Sequence, residues 1–289
     1  MKPAPFEYHA PTSVEEAVAL LADRGDEAKV LAGGQSLIPM LNLRLTRFEA
    51  LVDIGRIPAL RTIEQVDGAV RIGAMVPQCE IERDGLVAKA LPLLARATPL
   101  IGHFQIRSRG TLGGSIAHAD PAAEYPAAAL ALDAQLEAQG PGGVRTIGAA
   151  EFFAGTWTTA LEPDEVLTGV RIGEWGPGTG VAVRELARRH GDFAVAGVVC
   201  AVQLDGGTVA RAAIALLGMG STPLRARAAE AALVGTTAGE IDAREIGHLV
   251  VRDTEPPEDL HASAGLRRRA AAALTTQALH EALEEARDG

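Results

Sequence analysis

The chain has 289 residues, with 27 Lys or Arg against 37 Asp or Glu, a formal net charge of -10 at pH 7 and an isoelectric point near 5.2. Such an acidic balance argues against nucleic acid or an anionic membrane surface as the main partner. No run of about 18 apolar residues offers a membrane span. The segment Met1-Lys2-Pro3-Ala4-Pro5-Phe6-Glu7-Tyr8 lacks the apolar core of a signal peptide, so a cytoplasmic location is expected. The length suffices for one large domain or two to three small ones. Only two cysteines occur, Cys79 and Cys200; both sit among apolar residues and are expected to be buried small hydrophobes. A cysteinyl iron–sulfur cluster normally needs about four thiolates, and the histidines do not fall at zinc-like spacing. Any redox chemistry must therefore use an organic cofactor and exchange electrons with something else.

In chain order, Ser13-Val14-Glu15-Glu16 is a capping box. Val14, Ala17, Val18 and Leu21 form the stripe of an amphipathic helix that Gly25 ends. A strand over 29–32 leads into a glycine loop, a helix over 36–45 leaves it, and 50–54 is a second strand, making a small βαβ-like unit of about fifty residues. Arg44 and Arg47 fall near that helix's C-terminal end, where cations suit the dipole. Residues 61–66 and 69–74 around Asp67-Gly68 read as a hairpin. Two or three short helices lie between Pro77 and Ile101. A helix is expected over 124–132, strands over 133–138, 144–147 and 166–172, and a composition break at Trp175-Gly176-Pro177-Gly178-Thr179-Gly180. Strands follow over 181–186, 195–204 and 209–217, then helices over about 222–234, 239–251 and 263–286, the last rich in alanine, a strong helix former.

Two loops carry the chemistry. The first is Leu31-Ala32-Gly33-Gly34-Gln35-Ser36. The second is Arg107-Ser108-Arg109-Gly110-Thr111-Leu112-Gly113-Gly114-Ser115, running on into Ile116-Ala117-His118-Ala119-Asp120-Pro121-Ala122-Ala123-Glu124. Each has a Gly-Gly pair beside a hydroxyl or amide side chain. Glycine lets backbone approach a ligand closely, and successive N–H groups can converge on a phosphate without a cationic side chain. Two such loops could clasp a pyrophosphate from both sides; singly, each could be a plain turn.

These words closely resemble the FAD-binding medium subunit of the molybdenum hydroxylases, the group containing aerobic carbon monoxide dehydrogenase and xanthine dehydrogenase. The first loop matches that family's Ala-Gly-Gly-x-Ser. The second matches its Thr-(Ile/Leu)-Gly-Gly-Ser and the following Ala-His-Ala-Asp-Pro-Ala-Ala-Glu. The resemblance runs from about Pro5 to the last helix. It implies an α+β fold with a vanillyl-alcohol-oxidase-like (PCMH-type) FAD-binding domain over 1–175, in subdomains of about 1–56 and 57–175. A carbon monoxide dehydrogenase flavoprotein-type sheet-and-helix domain is implied over 181–287.

By the same resemblance, Ala32, Gly33, Gly34, Gln35, Ser36 and Leu37 form one FAD loop, and Arg109, Thr111, Leu112, Gly113, Gly114 and Ser115 the other. The four paired glycines would be needed because a Cβ would block the backbone's approach to the ligand. Glu124 stands where the family places an acid that accepts from cofactor hydroxyls; a helix N-terminal carboxylate is its plainer reading. Asp120 is either a ligand contact or an N-cap. Leu167 matches a leucine whose backbone faces the flavin, or is plain strand core. Gly191-Asp192-Phe193-Ala194 resembles the family's Gly-Asp-(Tyr/Phe)-Ala and would put Phe193 near the isoalloxazine, without the hydroxyl of tyrosine. Where relatives often carry a basic flavin contact the sequence reads Arg184-Glu185, and that position is open.

Other features point elsewhere. Leu217-Gly218-Met219-Gly220-Ser221-Thr222-Pro223 imitates a dinucleotide fingerprint, but Pro223 replaces the third glycine; a Thr-capped helix with Pro at its first position explains it. Arg267-Arg268-Arg269 reads as a solvated helix face or a contact for an acidic partner. His118 and His190 have no nucleophile or carboxylate at recognisable spacing, and no metal site or catalytic side chain is expected. The resemblance implies non-covalent FAD, a [2Fe–2S] iron–sulfur subunit, a molybdopterin (molybdenum cofactor) subunit, a dimer of heterotrimers and an external electron acceptor such as NAD, a quinone or oxygen. The holoenzyme's substrate is not readable. A stand-alone flavin reductase or oxidase, and a non-catalytic interaction subunit that has lost FAD, stay open as alternatives.

Overall fold

The structure is a computed structural model that describes all residues, 1–289. The first unit opens with β1 (Glu7–His9) and α1 (Val14–Arg24), followed by β2 (Ala28–Leu31), α2 (Leu37–Asn42) and β3 (Ala50–Asp53). Ser13 caps α1 by accepting from the Glu16 N–H, and Glu16 accepts from Thr12. The strands form a parallel three-stranded sheet in the order β1-β3-β2. Val14, Ala17, Val18 and Leu21 bury the helix stripe on it. Helix α2 ends at Asn42, three residues before the expected Leu45, because Arg44 adopts a left-handed backbone with φ 57.

The second unit is built on an antiparallel five-stranded sheet. It contains β4 (Ile63–Val66) and β5 (Ala69–Gly73), joined by the expected Asp67-Gly68 turn, whose two residues both have positive φ. Four short helices follow: α3 (Gln78–Ile81), α4 (Gly85–Ala90), α5 (Pro92–Ala97) and α6 (Phe104–Arg107). Then come α7 (Leu112–His118), α8 (Glu124–Ala131), β6 (Gln135–Gly140), β7 (Gly143–Gly148), α9 (Ala149–Phe152), the small hairpin β8 (Phe153–Gly155) and β9 (Thr158–Thr159), and β10 (Val166–Gly173). The sheet order is β4-β5-β10-β6-β7.

The last unit is an antiparallel sheet of β11 (Thr179–Ala187), β12 (Ala194–Asp205), β13 (Thr208–Leu217) and the short edge strand β14 (Leu224–Arg225). It is covered by α10 (Arg227–Leu233), α11 (Ala243–Val251) and α12 (Ala264–Asp288). Strand alternation divides two cores. Val199, Ala201, Ala213, Ala215 and Leu217 point at the second unit, together with Val70, Leu94 and Tyr125. Val198, Cys200, Val202, Ile214 and Leu216 point at the helices. Gly180 lets α12 lie directly on the sheet, since a Cβ there would collide with the Ala282 carbonyl and stand 2.6 Å from the Ala286 nitrogen.

Several expectations are corrected. The helix expected from Thr222 starts at Arg227, because Leu224 and Arg225 pair with Leu216 and Ala215 as β14; Pro223 is therefore not a first helical residue. The helix expected from Gly239 starts at Ala243, where the Asp242 side chain accepts from Arg244 and Glu245. Cys200 is buried, but Cys79 is only half-buried. The arginine run does not form one solvated face: Arg267 is 5 % exposed, donates to the Val195 and Gly218 carbonyls, and pairs with Asp259 at 2.6 Å.

Candidate flavin-binding site

The two glycine loops, 80 residues apart, meet. A Cβ on Gly33 would collide with the Arg109 carbonyl and stand 2.9 Å from the Gly110 Cα. A Cβ on Gly114 would lie 2.8 Å from Thr111 Oγ1 and 3.3 Å from the Ala32 Cβ. A Cβ on Gly113 would lie 2.8 Å from the Ala74 Cα. These three glycines are therefore demanded by loop-on-loop and loop-on-strand packing, a reason beside the ligand approach expected from the sequence. Gly34 has a different reason: its φ is 72, a left-handed turn.

The loops differ in what they offer. In the first, the N–H groups of Gly33, Gly34, Gln35, Ser36 and Leu37 find no acceptor within the chain, although all five residues are half-buried. The last of them belong to the start of α2, where first-turn N–H groups have no intrahelical acceptor, and a run of free amides of this kind is a nest for an anion. Gln35 turns its Nε2 back onto the Gly33 carbonyl at 3.0 Å, which holds the turn. The Ser36 hydroxyl has no partner in the chain. In the second loop the donors, apart from the Thr111 N–H, are already used. Leu112 N–H donates to Val76, Gly113 N–H to Ala74 and Ser115 N–H to Thr111; Gly114 N–H donates to Thr111 Oγ1. Leu112 is fully buried and Thr111 is 3 % exposed, so both anchor the loop. The two-sided backbone clasp read from the sequence becomes one-sided: the first loop presents amides, and the second presents the half-buried Ser115 hydroxyl and the exposed Arg109.

Beyond α7, Ala119 turns the chain with φ 52, and Trp157, itself at φ 55, stacks on His118 with ring centroids 6.2 Å apart. Asp120 is not the N-cap of α8. Its Oδ1 accepts from the Ala122 N–H at 2.9 Å and its Oδ2 from Trp157 Nε1 at 3.2 Å, while Ala123 occupies the cap position. Burial lowers the His118 pKa against the pull of Asp120. The loop is tied to the last unit by Gly218 N–H donating to the Pro121 carbonyl at 2.7 Å, and Arg267 holds Gly218 from behind.

Glu124 opens α8 and is 6 % exposed, with no side-chain hydrogen bond. Burial, then the nearby Glu185 and Asp120 charges, push its carboxyl up to about 8. Glu185 lies on β11 on the face of Val181 and Val183. Its Oε2 is buried without a partner, and burial raises its carboxyl to about 7. Arg184 points the other way and pairs with Glu281 of α12 at 2.5 Å, so it does not substitute for a basic residue at this seam. Leu167 contributes its side chain to the core, next to a bulge in β10. Phe193 is 64 % exposed on the turn before β12, where Gly191 packs against the His103 ring. The Trp157–His118 stack and the Glu124–Glu185 proximity had no sequence signal: both join residues far apart in the chain.

The chain's first part, residues 4–175, matches the family described as FAD binding domain in molybdopterin dehydrogenase, and residues 181–282 match the CO dehydrogenase flavoprotein C-terminal domain. It is 41% identical over 288 residues to subunit alpha of the 6-hydroxypseudooxynicotine dehydrogenase complex of Paenarthrobacter nicotinovorans, covering 99% of this chain and 97% of that one. It is also 41% identical over 282 residues to the carbon monoxide dehydrogenase medium chain of Hydrogenophaga pseudoflava, with 98% of each covered. The solved carbon monoxide dehydrogenase of Hydrogenophaga pseudoflava superposes with a TM-score of 0.96 at 44% identity, over 98% of this chain and 99% of that one. Quinoline 2-oxidoreductase from Pseudomonas putida 86 superposes with a TM-score of 0.93 at 37% identity, over 99% of each chain. With these likenesses over nearly its full length, the chain that carries this loop of unpaired amides belongs to the molybdenum hydroxylase family as its FAD-binding flavoprotein, an oxidoreductase.

Proposed function

We propose that this chain is the electron-transfer subunit of a heterotrimeric molybdenum hydroxylase. It would take electrons from [2Fe–2S] clusters of a partner subunit, fed in turn by a molybdopterin subunit, and pass them to an external acceptor, within a dimer of heterotrimers. The observation that carries this reading is the run of five unpaired amides from Gly33 to Leu37, held in place by Gly33 and Gly114 packing against the opposite loop. These amides suit a pyrophosphate in a chain whose net charge of -10 would otherwise repel one.

The first unit supplies the amides and the Ser36 hydroxyl. The second supplies Arg109, the Ser115 hydroxyl, Asp120, the Glu124 carboxyl and the backbone around Leu167. The last unit brings Phe193 to the rim, and we keep the functional division at 1–175 and 181–287. When bound, FAD supplies the redox chemistry, since it can accept electrons singly and release them in pairs. Glu124, holding its proton at neutral pH, can donate to a ligand oxygen as well as accept from a hydroxyl. The two cysteines are too few for a cluster of this chain's own.

The test is the visible spectrum of the purified chain, with identification of the cofactor it releases. A yellow protein that yields FAD on denaturation, bleached by Gly114→Val, supports the reading. A colourless protein that takes up no added FAD overturns it in favour of an interaction subunit. A yellow protein that turns over substrate without metal-bearing partners favours a stand-alone flavin oxidoreductase.

A further inference from the structure

Helix α2 ends with a residue that backbone stability would not select. Leu45 N–H donates to the Met40 carbonyl at 3.0 Å, and Arg44 N–H donates to the Leu41 carbonyl at 3.1 Å. These are the paired bonds of a Schellman cap, in which the residue at Arg44's position is usually glycine. Arg44 sits there with φ 57, a backbone that disfavours any side chain. Backbone strain of this kind persists where the side chain serves another end. Leu45, which would fold back on the helix, is 70% exposed, and Leu43 is 58% exposed. The guanidinium groups of Arg44 and Arg47 have no carboxylate within 4.0 Å and donate no hydrogen bond in the chain. With Thr46 and Pro3 to Pro5 they line an open cavity of about 380 Å³.

We propose that Leu43–Arg47 is a docking surface for an acidic segment of a partner subunit, with Leu43 and Leu45 as apolar anchors and Arg44 and Arg47 as counter-charges. Two exposed leucines within three residues distinguish this surface from a small-anion site, which guanidinium groups alone would serve. On a chain of net charge -10, a local cationic patch is what an acidic partner needs in order to approach. The segment lies at the far end of α2 from the glycine loop, about 9 Å along the helix, so docking and cofactor binding can be separated by mutation. The inference rests on the reading of this chain as a subunit.

The test uses the complex purified through this chain from the cells that make it, with iron and molybdenum per chain as readout after gel filtration at about 0.3 M salt. Arg44→Gly suits the left-handed backbone, so the Tm of the isolated chain should hold or rise by about 2 °C. Its FAD content should stay unchanged. The pair Arg44→Gly/Arg47→Glu, and separately Leu45→Ser, should lower the retained iron and molybdenum at least ~10-fold. Variants that keep wild-type metal overturn the inference. So does a fall in Tm with Arg44→Gly, which would show that the arginine is held by contacts within its own chain. A wild-type preparation with neither metal overturns the subunit reading itself, and this inference with it.

Discussion

Glu124→Gln should make the folded chain more stable in alkali than the wild type. The carboxyl titrates near 4.5 when unperturbed and about 8 in the folded chain. Between these values the folded protein holds a proton that the unfolded chain has released, so stability falls as pH rises through the window and levels off above it. At about 1.4 kcal/mol per pH unit, the window from 4.5 to about 8 sets a ceiling of about 5 kcal/mol. Relaxation and shared titration with Glu185 reduce the expected effect to on the order of 2–3 kcal/mol. The glutamine has nearly the same shape and never ionises. Urea unfolding of the FAD-free chain at pH 5.5 and pH 9 is the assay: the variant's advantage should be small at the lower pH and on the order of 2–3 kcal/mol at the higher. An equal difference at both pH values would show that Glu124 ionises as an ordinary surface acid, and the burial reasoning would fail. Glu185→Gln should shift the wild-type window down by removing the charge that opposes Glu124 ionisation.

Gly33→Ala, whose Cβ would collide with the Arg109 backbone, should destabilise by about 2–3 kcal/mol and lose FAD together, measured by Tm and by released flavin. Ser36→Ala and Ser115→Ala should each weaken FAD binding roughly 10-fold with little change in Tm, by flavin fluorescence titration. Unchanged affinity in both would remove the hydroxyls from the site. Arg267→Ala should cost about 2–4 kcal/mol because it removes the buried guanidinium that donates to the Val195 and Gly218 carbonyls and pairs with Asp259. The exposed Arg269→Ala should stay within about 0.5 kcal/mol of wild type. Equal effects from the two would contradict the placement of Arg267.

Much of the fold was legible because local signals and burial agreed. The Ser13 cap, the Asp67-Gly68 hairpin and the three long strands after Gly178 each combine a period with a turn residue. What failed did so where a distant partner decided. Leu224 and Arg225 read as the start of a helix until the edge of β13 is there to pair with them. The three consecutive arginines look alike in sequence, yet helical phase buries Arg267 and leaves Arg269 outside. At the site, the glycine words drew attention to both loops but carried nothing of how the free donors divide between them. Whether an amide is free depends on carbonyls elsewhere, and Val76 and Ala74 satisfy the second loop only because β5 ends beside it. The raised carboxyl of Glu124 depends first on its burial and then on Glu185, 61 positions away, and no local pattern announces either.

The shared core across the seam bears on how such chains can be recombined. Residues 175–181 look like a natural place to exchange a tail between relatives. Yet Val181, Ala194, Val199, Ala213 and Leu217 of the last sheet are packed into one cluster with Leu94, Tyr125 and Leu132 of the unit before it. A graft at that point would join two apolar faces that had not drifted together, and each mismatched side chain would leave a void or an overlap in the shared core. The heritable module is thus larger than the linker suggests: the middle sheet and the last sheet travel as one block, and substitutions on either side of the seam should be tolerated mainly in compensating pairs.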